Sequence, residues 1–189
     1  GRGLVAWADW TGADGKLYFP QTPMLNDVYV IQQMYGTSTT TRTDNTVYGF
    51  NSTITGTSGQ IFDFARNLNP ILTIYDSAGV DTLDLSGWST PSIIDIRPGA
   101  FSSANSMTNN IAIARNTNIE NARGGSGADK IYGNSLGNIL WGGGGDDEIR
   151  GLGGADVIYG GTGADKPLNW NSEYAVICGS HSSDKIEKT

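Results

Sequence analysis

Acidic and amide side chains recur at every ninth residue in the carboxy-terminal half of the chain, and they could bind a hard cation. Asp129, Asn138, Asp147, Asp156 and Asp165 each hold the sixth position of a nine-residue unit, and five such units run without a break over residues 124–168. Calcium takes roughly six to eight oxygen ligands from carboxylates, amides and backbone carbonyls. One carboxylate per unit is too few, so carbonyl oxygens of stacked units must supply the rest. The spacing therefore predicts calcium sites between stacked turns.

The units read GGSGADKIY, GNSLGNILW, GGGGDDEIR, GLGGADVIY and GGTGADKPL. Glycine opens each one, and glycine-rich turns can aim their carbonyl oxygens inward, which side chains would obstruct. The eighth position is apolar in every unit, although the last unit has proline: Ile131, Leu140, Ile149, Ile158 and Pro167. One unit cannot bury that side chain alone, so neighbours must stack. A flexible glycine-rich linker would lack this fixed apolar position.

This pattern resembles the calcium-binding RTX repeat, and it predicts a parallel β-roll. Stacking places the acidic residues in rows, and their repulsion opposes folding until a cation lies between them. We therefore expect calcium binding and folding to be coupled.

One short helix is predicted ahead of the β-structure, near residues 23–35. Thr22 is the expected cap, Pro23 the first helical residue and Gly36 the end. Four apolar residues share one face of this helix, which we expect to pack on its neighbour: Leu25, Val28, Ile31 and Tyr35. The segment 36–64 has the composition of strands and turns. Strands are predicted at 71–75, 82–86, 93–96 and 111–113, so the fold class is all-β with one amino-terminal helix.

Composition excludes several functions. The net charge is −7, which argues against nucleic acid and anionic membranes as partners and is compatible with bound cations. No apolar run has the length of a membrane helix. The single cysteine, Cys178, cannot form an internal disulfide, so a secreted fold would need another stabiliser such as metal. The chain begins with Gly1 rather than methionine, which we expect of a processed or fragmentary product.

Beyond the repeats, the chain resembles the carboxy-terminal part of serralysin-type zinc metalloendopeptidases, which are secreted bacterial members of the metzincin class. The matching blocks occur in unbroken order between residues 17 and 165. They are PMLNDV (23–28), IQQMYG (31–36), TTRT (40–43), TVYGFNS (46–52), DSAGVDTLDLSG (76–87), IDIRPGAFS (94–102) and IENA (119–122). The resemblance implies that residues 1–36 are the end of a peptidase domain and residues 37–189 a calcium-binding domain.

The resemblance also implies two groups of calcium ligands. The junction group is Arg42, Asp44, Thr46, Asp76, Ala78, Gly79, Asp81, Asn118 and Glu120. In the repeats, each ion would lie between turns eighteen residues apart. The first would take Gly125, Gly127, Asp129, Gly142, Gly144 and Asp147; the second Asn134, Leu136, Asn138, Gly151, Gly153 and Asp156; and the third Gly143, Gly145, Asp147, Gly160, Thr162 and Asp165. Asn138 carries no charge, so we expect the second site to be weaker.

The zinc chemistry of the resembled enzymes cannot be built from this chain. It needs three histidines in an extended His-Glu-x-x-His motif, and this chain has one histidine, His181. Its Met-turn is not recognisable around 4–7, and the match fades after Asp165, where only 184–187 hint at a further strand. Adjacent Ser180, Ser182 and Asp184 do not form a catalytic triad with His181, because triads join distant segments. The tryptophans lack a shared spacing, so we interpret them as packing residues rather than a ligand platform.

Three functions follow from these observations. The leading hypothesis is a calcium-binding part that folds outside the cell and braces a serralysin-like zinc protease, with no catalytic residue in this chain. The chain could instead be a fragment that stays bound to a separate catalytic chain. A third alternative is a calcium-binding spacer or matrix protein. The protease hypothesis predicts an exposed apolar face near residues 1–35, whereas a spacer predicts a stable monomer with a ligand patch.

Overall fold

A computed structural model describes residues 9–169 and the backbone of two further strands at 176–178 and 187–188. Short strands dominate, joined by turns, so the fold is mainly β. The two helices are α1 (Leu25–Tyr35) and α2 (Gly56–Phe62). The strands are β1 (Val47–Gly49), β2 (Leu72–Ile74), β3 (Thr82–Asp84), β4 (Ile93–Asp95), β5 (Phe101–Ser102), β6 (Ile111–Ile113), β7 (Asn121–Arg123), β8 (Lys130–Tyr132), β9 (Ile139–Gly144), β10 (Glu148–Arg150), β11 (Val157–Thr162), β12 (Lys166–Asn169), β13 (Val176–Cys178) and β14 (Glu187–Lys188).

Consecutive strands of the repeat region alternate between two parallel sheets. The first sheet has the order β1-β3-β7-β9-β11-β13, and the second has the order β14-β12-β10-β8-β4. Each strand therefore pairs with the strand two units away, as in the registers Leu140↔Ile158 and Ile131↔Ile149. A third sheet pairs β2 with β6 in parallel and β6 with β5 in antiparallel. A nine-residue repeat thus produces an eighteen-residue spatial period.

The apolar residue of each unit lies between the two main sheets. Ile131, Leu140, Ile149 and Ile158 have no exposed surface, which confirms the inward orientation expected of them. Pro167 is also buried, opposite Ile149. The backbone N–H of Lys166 donates to the carbonyl oxygen of Asp147, next to β10. In a parallel strand only every second residue hydrogen-bonds to a given neighbour, so Pro167, which has no N–H, removes no hydrogen bond to β10.

An aromatic group extends this core towards the amino-terminal strands. Trp88 stacks on Phe64 with ring centroids 5.3 Å apart, and the edge of Phe50 meets the Trp88 ring at 5.1 Å. On the repeat strands, Trp141 stacks on Tyr159 at 5.8 Å. These two tryptophans are packing residues, as interpreted from the sequence.

Helix α1 begins two residues later than predicted. Met24 is its capping residue, and its N–H donates to the Asp27 carboxylate at 3.0 Å, so the assignment of Thr22 as the cap was wrong. Gly36 ends the helix as predicted. The expected apolar face is only partly covered, because Leu25 is buried whereas Ile31 and Tyr35 are 50% and 80% exposed.

The four strands predicted ahead of the repeats all form, as β2, β3, β4 and β6. The segment 36–64 differs from its prediction, because it contains a second helix, α2, beside the strand β1. Burial of Phe62, 4% exposed, stabilises that helix despite its poor helix-forming sequence. Among the described residues, neither helix has the length or apolar composition to cross a membrane.

Candidate metal centre

The carboxylates of the repeats form a hydrogen-bonded ladder along one edge of the sheets. Asp147 Oδ1 accepts the backbone N–H of Asp129 at 2.8 Å, and Asp165 Oδ1 accepts the N–H of Asp147 at 3.0 Å. The ladder ends at Ser92, whose N–H donates to Asp129 Oδ1 at 2.6 Å. On the opposite edge, Asp156 Oδ1 accepts the N–H of Asn138 at 2.9 Å. The nine-residue period therefore separates the sixth-position residues into two columns.

The structure brings together one side-chain oxygen and one carbonyl oxygen for each ion predicted in the repeats. A Cβ built on Gly124 would lie 2.5 Å from Asp129 Oδ2 and 2.3 Å from the Gly142 carbonyl oxygen. Gly133 shows the same arrangement, with Asn138 Oδ1 and the Gly151 carbonyl oxygen each 2.4 Å away. At the first glycine of every unit, an added Cβ would lie within 2.5 Å of a side-chain oxygen of the same unit, so this position tolerates no side chain.

The third predicted ion has the matching pair at Gly142. Asp147 Oδ2 and the Gly160 carbonyl oxygen lie 2.3 Å and 2.4 Å from the position of its missing Cβ. A carboxylate oxygen and a carbonyl oxygen from turns eighteen residues apart are two of the hard oxygen ligands that calcium takes.

In the last three units, the second position has a left-handed backbone that glycine adopts readily. Gly143 and Gly161 have φ of 107° and 108° there, and Leu152 takes the same place with φ of 73°. A left-handed leucine is strained, because its Cβ approaches the following carbonyl. The turn geometry is therefore imposed by stacking on neighbouring turns rather than by this residue.

Asp147 is the clearest candidate ligand. Its Oδ2 is buried and has no hydrogen-bond partner within the described part of the chain. The pKa of Asp147 is raised to about 7, chiefly by burial of its carboxylate. The hydrogen bond from the Asp129 N–H lowers this pKa, whereas the negative charges of Asp129, Asp165 and Asp146 raise it. Burial also raises the pKa of Asp129. A buried oxygen with an excess of negative charge around it is the environment that a cation stabilises.

Five predicted junction residues lie together just before β1, β3 and β7: Asp44, Thr46, Gly79, Asp81 and Glu120. Asp81 Oδ1 accepts the N–H of Thr46 at 2.8 Å, and Glu120 Oε2 accepts the N–H of Asp81 at 2.8 Å. Gly79, at φ of 129°, lies beside both Asp81 Oδ1 and the carbonyl oxygen of Asp44. Burial raises the pKa of Asp81 to about 7, the Thr46 N–H lowers it, and the charges of Asp76 and Glu120 raise it further.

The other predicted junction residues have different hydrogen-bond partners or are exposed to solvent. Asp76 is buried, but its Oδ2 accepts the Tyr48 hydroxyl at 2.6 Å. The Arg42 guanidinium donates to the Tyr75 carbonyl and lies 4.6 Å from the Phe62 ring centroid, so only the Arg42 backbone is available for a metal. Ala78 and Asn118 are exposed.

Sequence reasoning missed two residues that position this acidic group. Tyr48 supplies the hydroxyl that binds Asp76, and Thr117 both accepts the N–H of Asp76 at 3.0 Å and donates to its carbonyl. Burial and the Asp76 hydrogen bond raise the pKa of Tyr48. No local spacing signals these contacts, because the partners are 28 and 41 residues apart in the chain.

Within residues 9–169, no group of three or more His, Cys, Asp or Glu side chains could hold a metal ion. A calcium site in these turns thus depends on backbone carbonyls, which glycine leaves accessible. The oxygen atoms of the described turns are the kind of ligand that calcium takes, whereas zinc prefers nitrogen and sulfur ligands. His181, Trp7 and Trp170 lie outside the described residues.

Comparison with known proteins decides the family. The family model described as the peptidase M10 serralysin C terminal matches residues 37–171 of this chain. The chain belongs to the serralysin carboxy-terminal family.

The relatives of this serralysin-family chain agree with that assignment. Serralysin of Proteus mirabilis is 43% identical over 137 residues, covering 71% of this chain and 27% of the relative. Serralysin of Photorhabdus laumondii is 43% identical over 132 residues, covering 69% and 27%. Metalloprotease AprA of Pseudomonas entomophila is 41% identical over 126 residues, covering 67% and 26%. The chain therefore spans about a quarter of the length of these relatives.

Proposed function

We propose that this chain is the calcium-binding β-roll of a secreted serralysin-like zinc metalloendopeptidase, and that it folds on calcium and braces the catalytic part. In this proposal residues 1–36 close the peptidase domain, and residues 37–189 form the calcium-binding domain. Zinc belongs to the catalytic part of the parent enzyme. The single observation that carries the proposal is the buried Asp147 Oδ2, which has no hydrogen-bond partner among the described residues and lies beside the Gly160 carbonyl.

Electrostatics supports a cation requirement. Asp129, Asp147 and Asp165 are each at most 2% exposed and stack along one edge. Carboxylates at such spacing repel each other strongly in a poorly hydrated environment. Calcium, when bound, supplies the positive charge that offsets this repulsion. Extracellular calcium modules have dissociation constants on the order of 0.1 to 1 mM, which suits a chain that folds only after secretion.

The amino-terminal part supports the bracing role. Seven of the thirteen exposed large apolar side chains among the described residues lie between 17 and 35. They are Leu17, Phe19, Tyr29, Val30, Ile31, Met34 and Tyr35. Soluble proteins rarely leave so many large apolar side chains uncovered unless another surface packs on them. This favours a part of a larger protease over an independent spacer or matrix protein.

A calcium titration of the chelated chain, followed by far-UV circular dichroism, tests the calcium proposal. We expect a cooperative gain of β signal that magnesium does not reproduce, because magnesium demands a smaller, octahedral site. A spectrum that is the same with chelator and with millimolar calcium would refute it.

Activity and mass measurements test the remainder. The chain alone should not cleave casein, since it cannot assemble the three-histidine site. Chelator-sensitive cleavage by this chain alone would contradict that expectation. Native mass spectrometry of material purified from its source distinguishes one long protease from a fragment bound to a separate histidine-rich chain.

A further inference from the structure

One of the five units is built differently from the rest. In GNSLGNILW, asparagine occupies the sixth position, where the other units have aspartate, and also the second position. The two side chains, Asn134 and Asn138, are 4% and 1% exposed. They contact each other, because Asn138 Nδ2 donates to Asn134 Oδ1 at 3.1 Å. We call this pair the amide staple.

The amide staple satisfies its own polar atoms. Asn138 Oδ1 accepts the N–H of Asn134 at 2.8 Å, and Asn134 Oδ1 accepts the N–H of Leu136 at 2.9 Å. Each side-chain oxygen is therefore held by its own turn. The remaining N–H groups of both amides are free to reach neighbouring turns.

Those N–H groups bind the carbonyls that precede β7. Asn138 Nδ2 donates to the Glu120 carbonyl at 2.9 Å, and Asn134 Nδ2 donates to the Ile119 carbonyl at 2.8 Å. Asn134 Nδ2 also lies 3.4 Å from the carbonyl of Ile96, which follows β4 in the other sheet. The amides thus place positive hydrogen atoms against carbonyl oxygens of adjacent turns. Under the proposed function, a bound calcium ion would make the corresponding contact in the aspartate turns.

The aspartates lack the amide N–H donors. Asp129 Oδ2 accepts the N–H of Gly125 in its own turn at 2.7 Å, as Asn138 Oδ1 accepts that of Asn134. Asp147 also bonds to the turn eighteen residues earlier, but it does so through Oδ1 as an acceptor, and its Oδ2 is buried without a hydrogen-bond partner among the described residues. A carboxylate has no N–H to offer, so it cannot satisfy a neighbouring carbonyl. Under the proposed function, the Asp147 turn would need a cation for that purpose, whereas the asparagine turn would not.

We propose that the amide staple takes the place of a cation, and that it holds the turn before β9 to the segment before β7 without calcium. The stack would then contain one cation-independent connection, next to the non-repetitive strands β3 and β7. The part of the stack that contains β7 and β9 would thus form without calcium, and β10, β11 and β12 would stack onto it when calcium binds. The calcium requirement of the aspartate turns, with which the staple is contrasted, rests on the proposed function. The hydrogen bonds of the staple itself do not.

Hydrogen–deuterium exchange with mass spectrometry on the whole chain, in chelator and in calcium, tests this inference. In chelator we expect peptides covering 119–123 and 134–141 to stay protected while those covering 144–166 exchange rapidly. Asn138→Asp should speed exchange of the first two peptides in chelator about tenfold or more, because it loses the N–H donors and buries a charge. Calcium should restore most of that protection.

Two further variants make the test specific. Ser135→Asp adds the same charge at an exposed site in the same turn, and it should leave exchange in chelator within about twofold. Asn134→Gly introduces the glycine found at this position in three other units. It should reduce the protection of the same two peptides from exchange in chelator, and it provides a test even if Asn138→Asp does not fold. Circular dichroism in calcium checks folding of each variant.

The failures of the two proposals are distinguishable. Suppose that calcium protects residues 144–166, but that in chelator the wild-type 134–141 peptide exchanges as fast as the 144–166 peptides. The staple proposal is then wrong and the calcium proposal stands. If calcium changes nothing, the calcium proposal fails, and the effects of Asn138→Asp and Asn134→Gly still decide whether the staple holds. Unchanged exchange in both variants overturns the staple.

Discussion

Asp147 Oδ1 accepts the backbone N–H of Asp129, eighteen residues earlier, at 2.8 Å. This bond orients the carboxylate so that its other oxygen, Oδ2, lies buried beside the carbonyl of Gly160. One oxygen therefore joins successive turns while the other is left for a cation. Asp147 therefore stabilises the stack through one oxygen, and it also destabilises the cation-free stack because its negative charge is buried.

Asp147→Asn should weaken calcium binding and stabilise the cation-free chain. The amide can still accept the Asp129 N–H, and its Nδ2 can donate to the Gly160 carbonyl. We expect the calcium midpoint to rise about tenfold, and stability in chelator to rise by about 1–2 kcal/mol as a buried charge disappears. Calcium titration and urea unfolding measure the two effects. Asp146→Asn removes an exposed charge one residue away, and an equal effect there would contradict a specific role for Asp147.

Acidification should stabilise the cation-free chain. The pKa values of Asp81 and Asp147 rise from 3.8 to about 7 on folding, so the folded state binds more protons than the unfolded state between these values. Stability is then full below about pH 4 for these groups and falls as the pH rises through 7. We expect a loss of about 1–2 kcal/mol between pH 5 and pH 8 in chelator, after allowance for hydration of the carboxylates.

Thermal unfolding at several pH values measures this slope. Saturating calcium should abolish it, because a bound cation favours the ionised carboxylates. A cation-free chain that is more stable at pH 8 than at pH 5 would show that these carboxylates do not dominate the titration.

Gly142→Ala should disrupt the stack. Its Cβ would lie 2.3 Å from Asp147 Oδ2 and 2.4 Å from the Gly160 carbonyl oxygen, closer than atoms can approach. We expect a loss of about 2–3 kcal/mol in calcium, measured by chemical unfolding. Gly153→Ala is the matched control, since its nearest neighbour would be 3.3 Å away and its cost should be clearly smaller. Equal losses would mean that the crowding at Gly142 is relieved by movement of the turn.

Tyr48→Phe should destabilise the junction without changing its shape. The substitution removes the 2.6 Å hydrogen bond to Asp76, and both residues are buried. A buried carboxylate oxygen that loses its donor costs about 1–3 kcal/mol. Tyr75→Phe removes a hydroxyl that donates to the Ser38 carbonyl in a more exposed place, so it should cost less than about 0.5 kcal/mol. Urea unfolding in calcium compares the two variants.

The repeats were readable from the sequence because their information is local. A glycine at the first position and an apolar residue at the eighth act within one unit, and the structure buries Ile131, Leu140, Ile149 and Ile158 as expected. The predicted ligand sets remain predictions, although Asp129 and Asp147 each meet a predicted carbonyl partner. The errors fell where local signals are weak: the cap at Thr22, and helix α2.

The sequence by itself determined the period, the residue types that face inward, the acidic rows and the family resemblance. Only the tertiary structure decided what those rows touch. Tyr48 reaches Asp76 across 28 residues and Glu120 reaches Asp81 across 39, and such pairs depend on which strands become neighbours. The difference between an asparagine turn and an aspartate turn likewise emerged only when adjacent turns placed carbonyls next to them. Spacing along the chain specifies a repeat, but the hydrogen-bond partners of a buried side chain are specified by the strands stacked against it.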